Sequence, residues 1–335
     1  MPGKTHRIGP SLIDTAKAFA NEKACHEYLE AARWPKGVHC LKCDHGTVSK
    51  FTTKGKIRTG KDGQVKQGPD RYMYQCLKCK YQFQTTTETI FSDTHLPLSK
   101  WLLAVAIMCN AKKGVSAKQM ERDMGISYKT SWYLNHRIRK AMEETGGQLF
   151  KGTVEADETY VGGKYDRRRK RAKYDKEPVF GVKDRESGKV QVRHIPEANR
   201  YHIHNVIDST VAKGAQFMTD ESPFYKSLAR KGFGHEIVCH SDKEWVRGDC
   251  HTQGIDSFWG LLKRGIIGSF HQVSIKHLHR YCGEFQFRFN SRQNRAVFAA
   301  VVTGLVIKGA LRYKALTASE IQPSPSDEPM GDLPF

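Results

Sequence analysis

The stretch VEADETYV, Val154 to Val161, sets an aspartate inside what otherwise reads as a strand. Apolar and polar residues alternate from Thr153 to Val161, and the run stops at Gly162-Gly163. Period-two patterning bounded by turn residues predicts a half-buried strand. The neighbours of Asp157 in such a strand are buried or paired. Glu158 faces the opposite side and is expected to find a salt-bridge partner there. Downstream, the basic run Lys164 to Lys176 contains Arg167, Arg168 and Arg169. Further strands are predicted over 178–183 and 190–195, around the turn Glu186-Ser187-Gly188. Helices and strands then alternate: helix 201–212, strand 215–219, helix 223–230, strand 235–239 and helix 255–264. Three meander strands followed by that alternation predict an α/β domain, a mixed sheet covered by helices.

Two more carboxylates fall where such folds place chemistry. Asp220 follows the strand AQFMT, at a carboxyl end. Asp256 lies near the start of the helix GIDSFWGLLKRGI, whose core face is Ile255, Phe258, Trp259, Leu262 and Ile266. Lys263 is seven positions on, two turns, and so projects along nearly the same line, offset by about 20°. Three converging carboxylates repel one another unless cations neutralise them. Hard divalent ions such as Mg²⁺ or Mn²⁺ take oxygen ligands and, as a pair, serve phosphodiester cleavage. Lys263 then faces a phosphate as a point charge. Spacing alone leaves the ordinary alternative open: strand-end aspartates cap helices, and helix-start aspartates offset the dipole. Glu221 and Asp242 lie near the same place. His240, His251 and His271 read as phosphate contacts or structural residues.

Upstream, CLKC occurs at 40–43 and again at 76–79. Each copy is a tight turn offering two thiolates. The intervening segment is rich in Gly, Lys and Thr, with turns at Lys61-Asp62-Gly63 and Gly68-Pro69-Asp70, so it reads as hairpins that bring the two copies together. Cys40, Cys43, Cys76 and Cys79 then form a tetrahedral Cys₄ site for a structural Zn²⁺. A dithiol redox pair is the competing reading, and duplication argues against it. His39 and His45 are expected to be exposed, and Cys25 to belong to a helix core. Residues 96–141 read as helical throughout. Within them, two helices flank Gly125, where a left-handed cap is needed, and Ser127 caps the second. This resembles a helix-turn-helix whose second helix carries Tyr128, Lys129, Thr130, His136, Arg137 and Arg139.

The chain of 335 residues holds 55 Lys and Arg against 35 Asp and Glu, a net charge of +20. Such an excess points to a polyanion, nucleic acid or an acidic membrane surface. The longest apolar stretch, 297–307, is too short to span a bilayer, and the N-terminal segment lacks the apolar core of a secretory signal. Nine cysteines in a chain this long suit a reducing cytoplasm rather than a disulfide framework. The domain division expected is a helical segment 1–33, zinc ribbon 34–92, helix-turn-helix region 95–145, α/β domain 150–295, and a C-terminal helix with an acidic disordered tail over 296–335.

Taken in order, CLKC…CLKC, the helix-turn-helix, VEADETYVGG, FMTDE and HTQGIDSFWGLLKRGIIGSFHQVS…HLHRY…FRFN resemble the zinc-ribbon insertion-sequence transposases of the ISXO type, from about residue 20 to 295. That family belongs to the DDE superfamily. The resemblance implies a ribonuclease-H-like core, with Asp157 and Asp220 as the first two metal ligands and Lys263 as the trailing basic residue. Where the family typically reads Asn-x-x-Glu, this chain reads Gln253-Gly254-Ile255-Asp256. Asp256 is therefore the third ligand expected, and Gln253 its competitor. The implied activity is binding of insertion-sequence ends followed by metal-dependent DNA cleavage and strand transfer. It would be carried out by a homo-oligomer on double-stranded DNA, in the cytoplasm and nucleoid of a bacterium and away from membranes. Tyr128, Lys129, Thr130, Arg137, Arg264 and the 164–176 run are the DNA contacts expected. A DNA-binding regulator derived from a worn-out nuclease is the alternative.

Overall fold

The computed structural model describes residues 10–59, 64–144, 147–162 and 176–317. Arg167, Arg168, Arg169 and the rest of the basic run up to residue 175 lie outside the described residues. So do the turn at 61–63 and the tail from 318 onward. The described residues divide into two compact units: one made of 10–111, 117–141 and 294–316, the other of 112–116, 142–293 and 317.

In the first unit, helices α1 (Leu12–Ala18) and α2 (Glu22–Arg33) start at side-chain caps, Ser11 and Asn21. α2 buries Cys25 and Leu29, and burial pushes the Cys25 thiol up to about 12, as befits a core residue. The two CLKC copies form two copies of one turn. Cys40 N–H donates to His45 O and Asp44 N–H to Cys40 O; likewise Cys76 N–H donates to Tyr81 O and Lys80 N–H to Cys76 O. Asp44 and Lys80, at equivalent places, are both left-handed (φ 55° and 59°). Between the turns run β1 (Val48–Thr53), β2 (Ile57–Thr59), β3 (Val65–Gln67) and β4 (Arg71–Cys76), followed by β5 (Gln82–Phe83). β1 pairs antiparallel with β4, β4 with β5, and β2 with β3, so the expected hairpin is a nested one. Where the two ladders meet, Gly55 lies against the Gly68 carbonyl so closely that a Cβ would sit 1.7 Å from its oxygen.

The helical stretch forms three helices, with the expected turn at Gly125 between the last two: α3 (Leu98–Asn110), α4 (Ala117–Met124) and α5 (Tyr128–Met142). Gly114 (φ 80°) and Gly125 (φ 59°) interrupt it in conformations that glycine adopts without strain. Ser127 Oγ accepts the Thr130 N–H at 3.2 Å, the predicted cap.

The second unit is a five-stranded mixed sheet in the order β10-β9-β6-β7-β8. Its strands are β6 (Thr153–Val161), β7 (Glu177–Asp184), β8 (Val190–His194), β9 (Gln216–Thr219) and β10 (Gly234–Ile237). β6, β7 and β8 form the antiparallel meander, while β9 and β10 add in parallel. One face carries α6 (Arg200–Thr210) over Val154, Ala156, Phe180 and Phe217. The other carries α7 (Gln253–Gly265) and α8 (Leu278–Asn290), packing Ile255, Trp259, Leu262 and Phe285 on Val179, Val190 and Val192. This is the mixed sheet that the resemblance implies. The helix predicted over 223–230 is instead two 3₁₀ turns, Pro223–Tyr225 and Ala229–Lys231. Tyr225 and Leu228 are both fully buried, and a three-residue spacing suits the eclipsed i, i+3 geometry of a 3₁₀ helix.

β8 is an edge strand, and α8 closes it. Val190 N–H donates to Asn290 Oδ1 and Val192 N–H to Gln286 Oε1, while Asn290 Nδ2 donates back to Val190 O. Side chains four apart on one helix thereby stand in for a missing strand. The chain then returns to the first unit. α9 (Val297–Ile307) packs on α2 and α3, and Ile90 N–H donates to Leu305 O. The expected C-terminal helix is thus core to the unit that holds the ribbon.

Candidate active site and metal centre

On β6, Val154 and Ala156 enter the α6-side core, so Glu155 and Asp157 point to the α7 side. Asp157 stands opposite Gly181. A Cβ at Gly181 would lie 2.7 Å from the Trp259 ring; its absence lets the indole in, and Trp259 Nε1 donates to Asp157 Oδ2 at 2.9 Å. Two residues past the last parallel pair, Glu155↔Met218, the neighbouring strands carry Asp157 and Asp220. Asp220 accepts the Ser222 N–H at 3.1 Å. Asp256, in the first turn of α7, accepts from Thr252 Oγ1 at 3.3 Å.

The three acids act on one another. Burial, then the charges of Glu158, Asp256 and Asp220, push Asp157 up to about 7, against the pull of Trp259. Asp220 is raised by burial, and also by Glu221 and Asp256. Asp256 is raised by burial, while Thr252, His240 and Lys263 oppose the rise. Lys263 therefore lies within electrostatic reach of Asp256, as the two-turn spacing requires. Gln253 is exposed and makes no hydrogen bond to any of the three aspartates. Glu158 does face the opposite side, but its partner there is the hydroxyl of Tyr225, with no cation among the described residues. Buried Tyr225 fills the place a lysine or arginine was expected to take.

Sequence reasoning missed Glu155. It is 1% exposed, accepts the Ile255 N–H at 2.8 Å and pairs with Arg185 Nε at 2.8 Å. Arg185 in turn donates to the carbonyls of Asp249 and His251. Glu155 thus anchors the start of the Asp256 helix to the Asp157 strand. Gly254 permits the approach, since a Cβ there would lie 2.6 Å from Glu155 Oε2 and 2.1 Å from Lys183 Nζ. The available signal was period two: Glu155 shares its strand face with Asp157.

Among the described residues, one set of three or more His, Cys, Asp or Glu side chains is gathered tightly enough for an ion: Cys40, Cys43, Cys76 and Cys79, all within 4.8 Å of one another. Sulfur separations of 3.5 Å (Cys40–Cys79 and Cys43–Cys79) and 3.6 Å (Cys43–Cys76) compare with about 3.8 Å for a tetrahedron of 2.3 Å Zn–S bonds. Backbone N–H groups of Lys42 and Cys79 point at the sulfurs of Cys40 and Cys76. The four thiols fit a zinc ion. The three aspartates are not so gathered. Each is held by its own neighbour.

The expected DNA contacts divide. Tyr128 and Lys129 are exposed and Thr130 is half-buried. Arg137 is turned inward, its Nη2 on the Leu311 carbonyl at 3.3 Å, and His136 and Arg139 are buried. The fully exposed residues of α5, Tyr128 and Lys129, lie in its first turn. Arg264 is exposed and lies along Gly260.

Residues 149–290 match the family described as the ISXO2-like transposase domain, and residues 20–82 match the transposase zinc-ribbon domain. A similar protein is the one described as an uncharacterized protein in transposable element ISH50 of Halobacterium salinarum. It is 29% identical over 288 residues, covering 81% of this chain and 92% of that one. Among solved structures, a simian T-cell lymphotropic virus intasome in complex with PP2A regulatory subunit B56 gamma aligns over 65% of this chain and 74% of that chain. The identity is 14% and the TM-score 0.23, too loose a superposition to carry an argument.

Proposed function

We propose that this chain, whose residues 149–290 match the ISXO2-like transposase domain and 20–82 the transposase zinc-ribbon domain, binds the ends of its element and performs metal-dependent DNA cleavage and strand transfer at Asp157, Asp220 and Asp256. The observation that carries this is the placement of three acids on adjacent elements: Asp157 and Asp220 each two residues past the Glu155↔Met218 pair of neighbouring strands, and Asp256 in the first turn of the helix packed on that sheet. Divalent ions, Mg²⁺ or Mn²⁺, held by these carboxylates would activate water and neutralise the phosphate in such chemistry. Trp259 holds Asp157 in place, and the Glu155–Arg185 pair holds the start of α7. Lys263 offers a point charge to an adjacent phosphate. The zinc ribbon, the first turn of α5, Arg264 and the 164–176 run supply the DNA contacts, and two ends held together call for more than one copy on DNA.

The regulator reading keeps one observation in its favour: the three aspartates are not closed around a common point. Incubating the purified chain with DNA carrying its element's ends separates the two. Nicking at the ends with Mg²⁺ or Mn²⁺, and none without added metal, is the expected result. Tight end binding with no nicking under either ion leaves the regulator.

A further inference from the structure

On the loop after β10 the chain holds an exposed tryptophan. The sequence contains five. Trp34, Trp101 and Trp259 are buried, Trp132 is half-buried, and Trp245 is 59% exposed. Its loop is tied down at both ends. Glu221, the residue after Asp220, accepts the backbone N–H groups of His240 (2.8 Å) and Ser241 (3.0 Å). Glu244 accepts the Cys239 N–H at 3.3 Å and a two-pronged pair from Arg247, at 2.8 and 2.5 Å. Arg247 and Cys250 exchange both backbone hydrogen bonds at 2.9 Å. The indole rests on the His240 ring, with centroids 4.7 Å apart and planes 37° apart.

His240 is the nearer link to the chemistry, because Glu221, the residue after Asp220, holds its backbone N–H. Trp245 is therefore one ring removed from a residue tied to the neighbour of Asp220 in sequence. Leaving so large an apolar ring in water forgoes the burial that ordinarily stabilises it. Lys243 and Arg247 are exposed on either side of it; Arg247 is paired with Glu244, and Asp242 and Asp249 are the other acids of the loop. An exposed flat ring on a tied-down loop, next to a site for phosphodiesters, matches a base whose own strand runs through that site. In a duplex both faces of a base are covered by its neighbours, so only a base out of the stack can use the ring.

We propose that Trp245 is a stacking platform for one unpaired nucleobase of the DNA strand engaged at Asp157, Asp220 and Asp256, an inference that rests on the DNA-cleavage reading above. The test measures binding of the full chain, without added divalent metal, to an oligothymidylate single strand and to a duplex of equal length. Trp245→Ala is expected to weaken the single strand about tenfold and the duplex by less than about twofold. Trp245→Phe should keep both affinities within about twofold while losing most of the quenching of tryptophan emission on single-strand binding. Equal single-strand binding by Trp245→Ala and the unaltered chain overturns the proposal, as does an equal loss of both ligands. A changed sedimentation coefficient with single-strand binding intact also overturns it, and assigns the ring to a protein contact. Because no step needs metal, failure of the unaltered chain to nick DNA leaves this result standing; failure to bind any DNA ends both readings.

Discussion

In the ribbon, four ligands come from two short turns of identical sequence, each folded by its own backbone hydrogen bonds. At the sheet, the three proposed ligands come from a strand, a strand end and a helix, joined only by the folded domain. The sulfurs stand 3.5 to 3.6 Å apart across three of their separations, while the carboxylates are held singly by Trp259, Ser222 and Thr252. Charge accounts for much of the difference. Thiols approach one another neutral and lose protons to the incoming ion. Carboxylates at neutral pH repel, and burial sharpens the repulsion.

Breaking the ribbon should have the largest effect. Cys76→Ser combined with Cys79→Ser is expected to take metal content from one zinc per chain to none and to unfold the module, since structural zinc supplies about 10–16 kcal/mol to such sites. Zinc retained by that double variant would end the four-sulfur assignment.

At the sheet the next effect is catalytic. Asp256→Ala should slow nicking of element ends roughly a thousandfold, about 4 kcal/mol of barrier, with DNA affinity unchanged. Asp256→Glu should preserve or raise the rate, and Gln253→Ala should cost less than about threefold. If Gln253→Ala is instead the more damaging, the third ligand moves to Gln253.

A third prediction uses the repulsion directly. Asp157 is raised from its ordinary 3.8 to about 7, so between those values the folded chain keeps a proton that the unfolded chain has lost. Its ionisation therefore destabilises the fold progressively as pH rises through that window, fully above about 7 and not at all below about 4. At about 1.4 kcal/mol per unit, Asp157→Asn should stabilise the metal-free protein by roughly 2–4 kcal/mol at pH 8, with the gain vanishing near pH 4, read from denaturant melts. Binding of Mg²⁺ should release about one proton near pH 6, measurable by calorimetry in buffers of different ionisation enthalpy. A stability gain independent of pH would mean that the acid is not strained by its neighbours.

The smallest effects separate two residues of one helix. Lys129→Ala should lower DNA affinity a fewfold and reduce the salt slope by about one. Arg137→Ala should leave that slope alone and lower stability by about 1 kcal/mol, the worth of a side-chain hydrogen bond, because its guanidinium serves the Leu311 carbonyl.

Much of this was legible in residue order. The duplicated CLKC announced the knuckles, period two located β6 to the residue, and Gly125 with Ser127 marked the turn between α4 and α5. The seven-residue step from Asp256 to Lys263 placed both within electrostatic reach, because helical spacing is local. Less legible was the inward turn of Arg137. A cation on a helix beside a glycine turn reads as a DNA contact until the packing around that helix is known. The motif at 286–290 likewise gave no hint that its glutamine and asparagine close the edge of β8.

Local chemistry carries what the sequence by itself determined about this chain: the thiol turns, the strand that holds Asp157, the helix that holds Asp256, and the family that their order resembles. Tertiary structure alone decided what surrounds them. Glu155 anchors the Asp256 helix because β6 and α7 meet face to face, Trp259 reaches Asp157 because Gly181 leaves the space, and α9 completes the core of a unit that begins almost three hundred residues earlier. Such contacts join positions about a hundred or more residues apart, and no periodicity within a single segment encodes its partner.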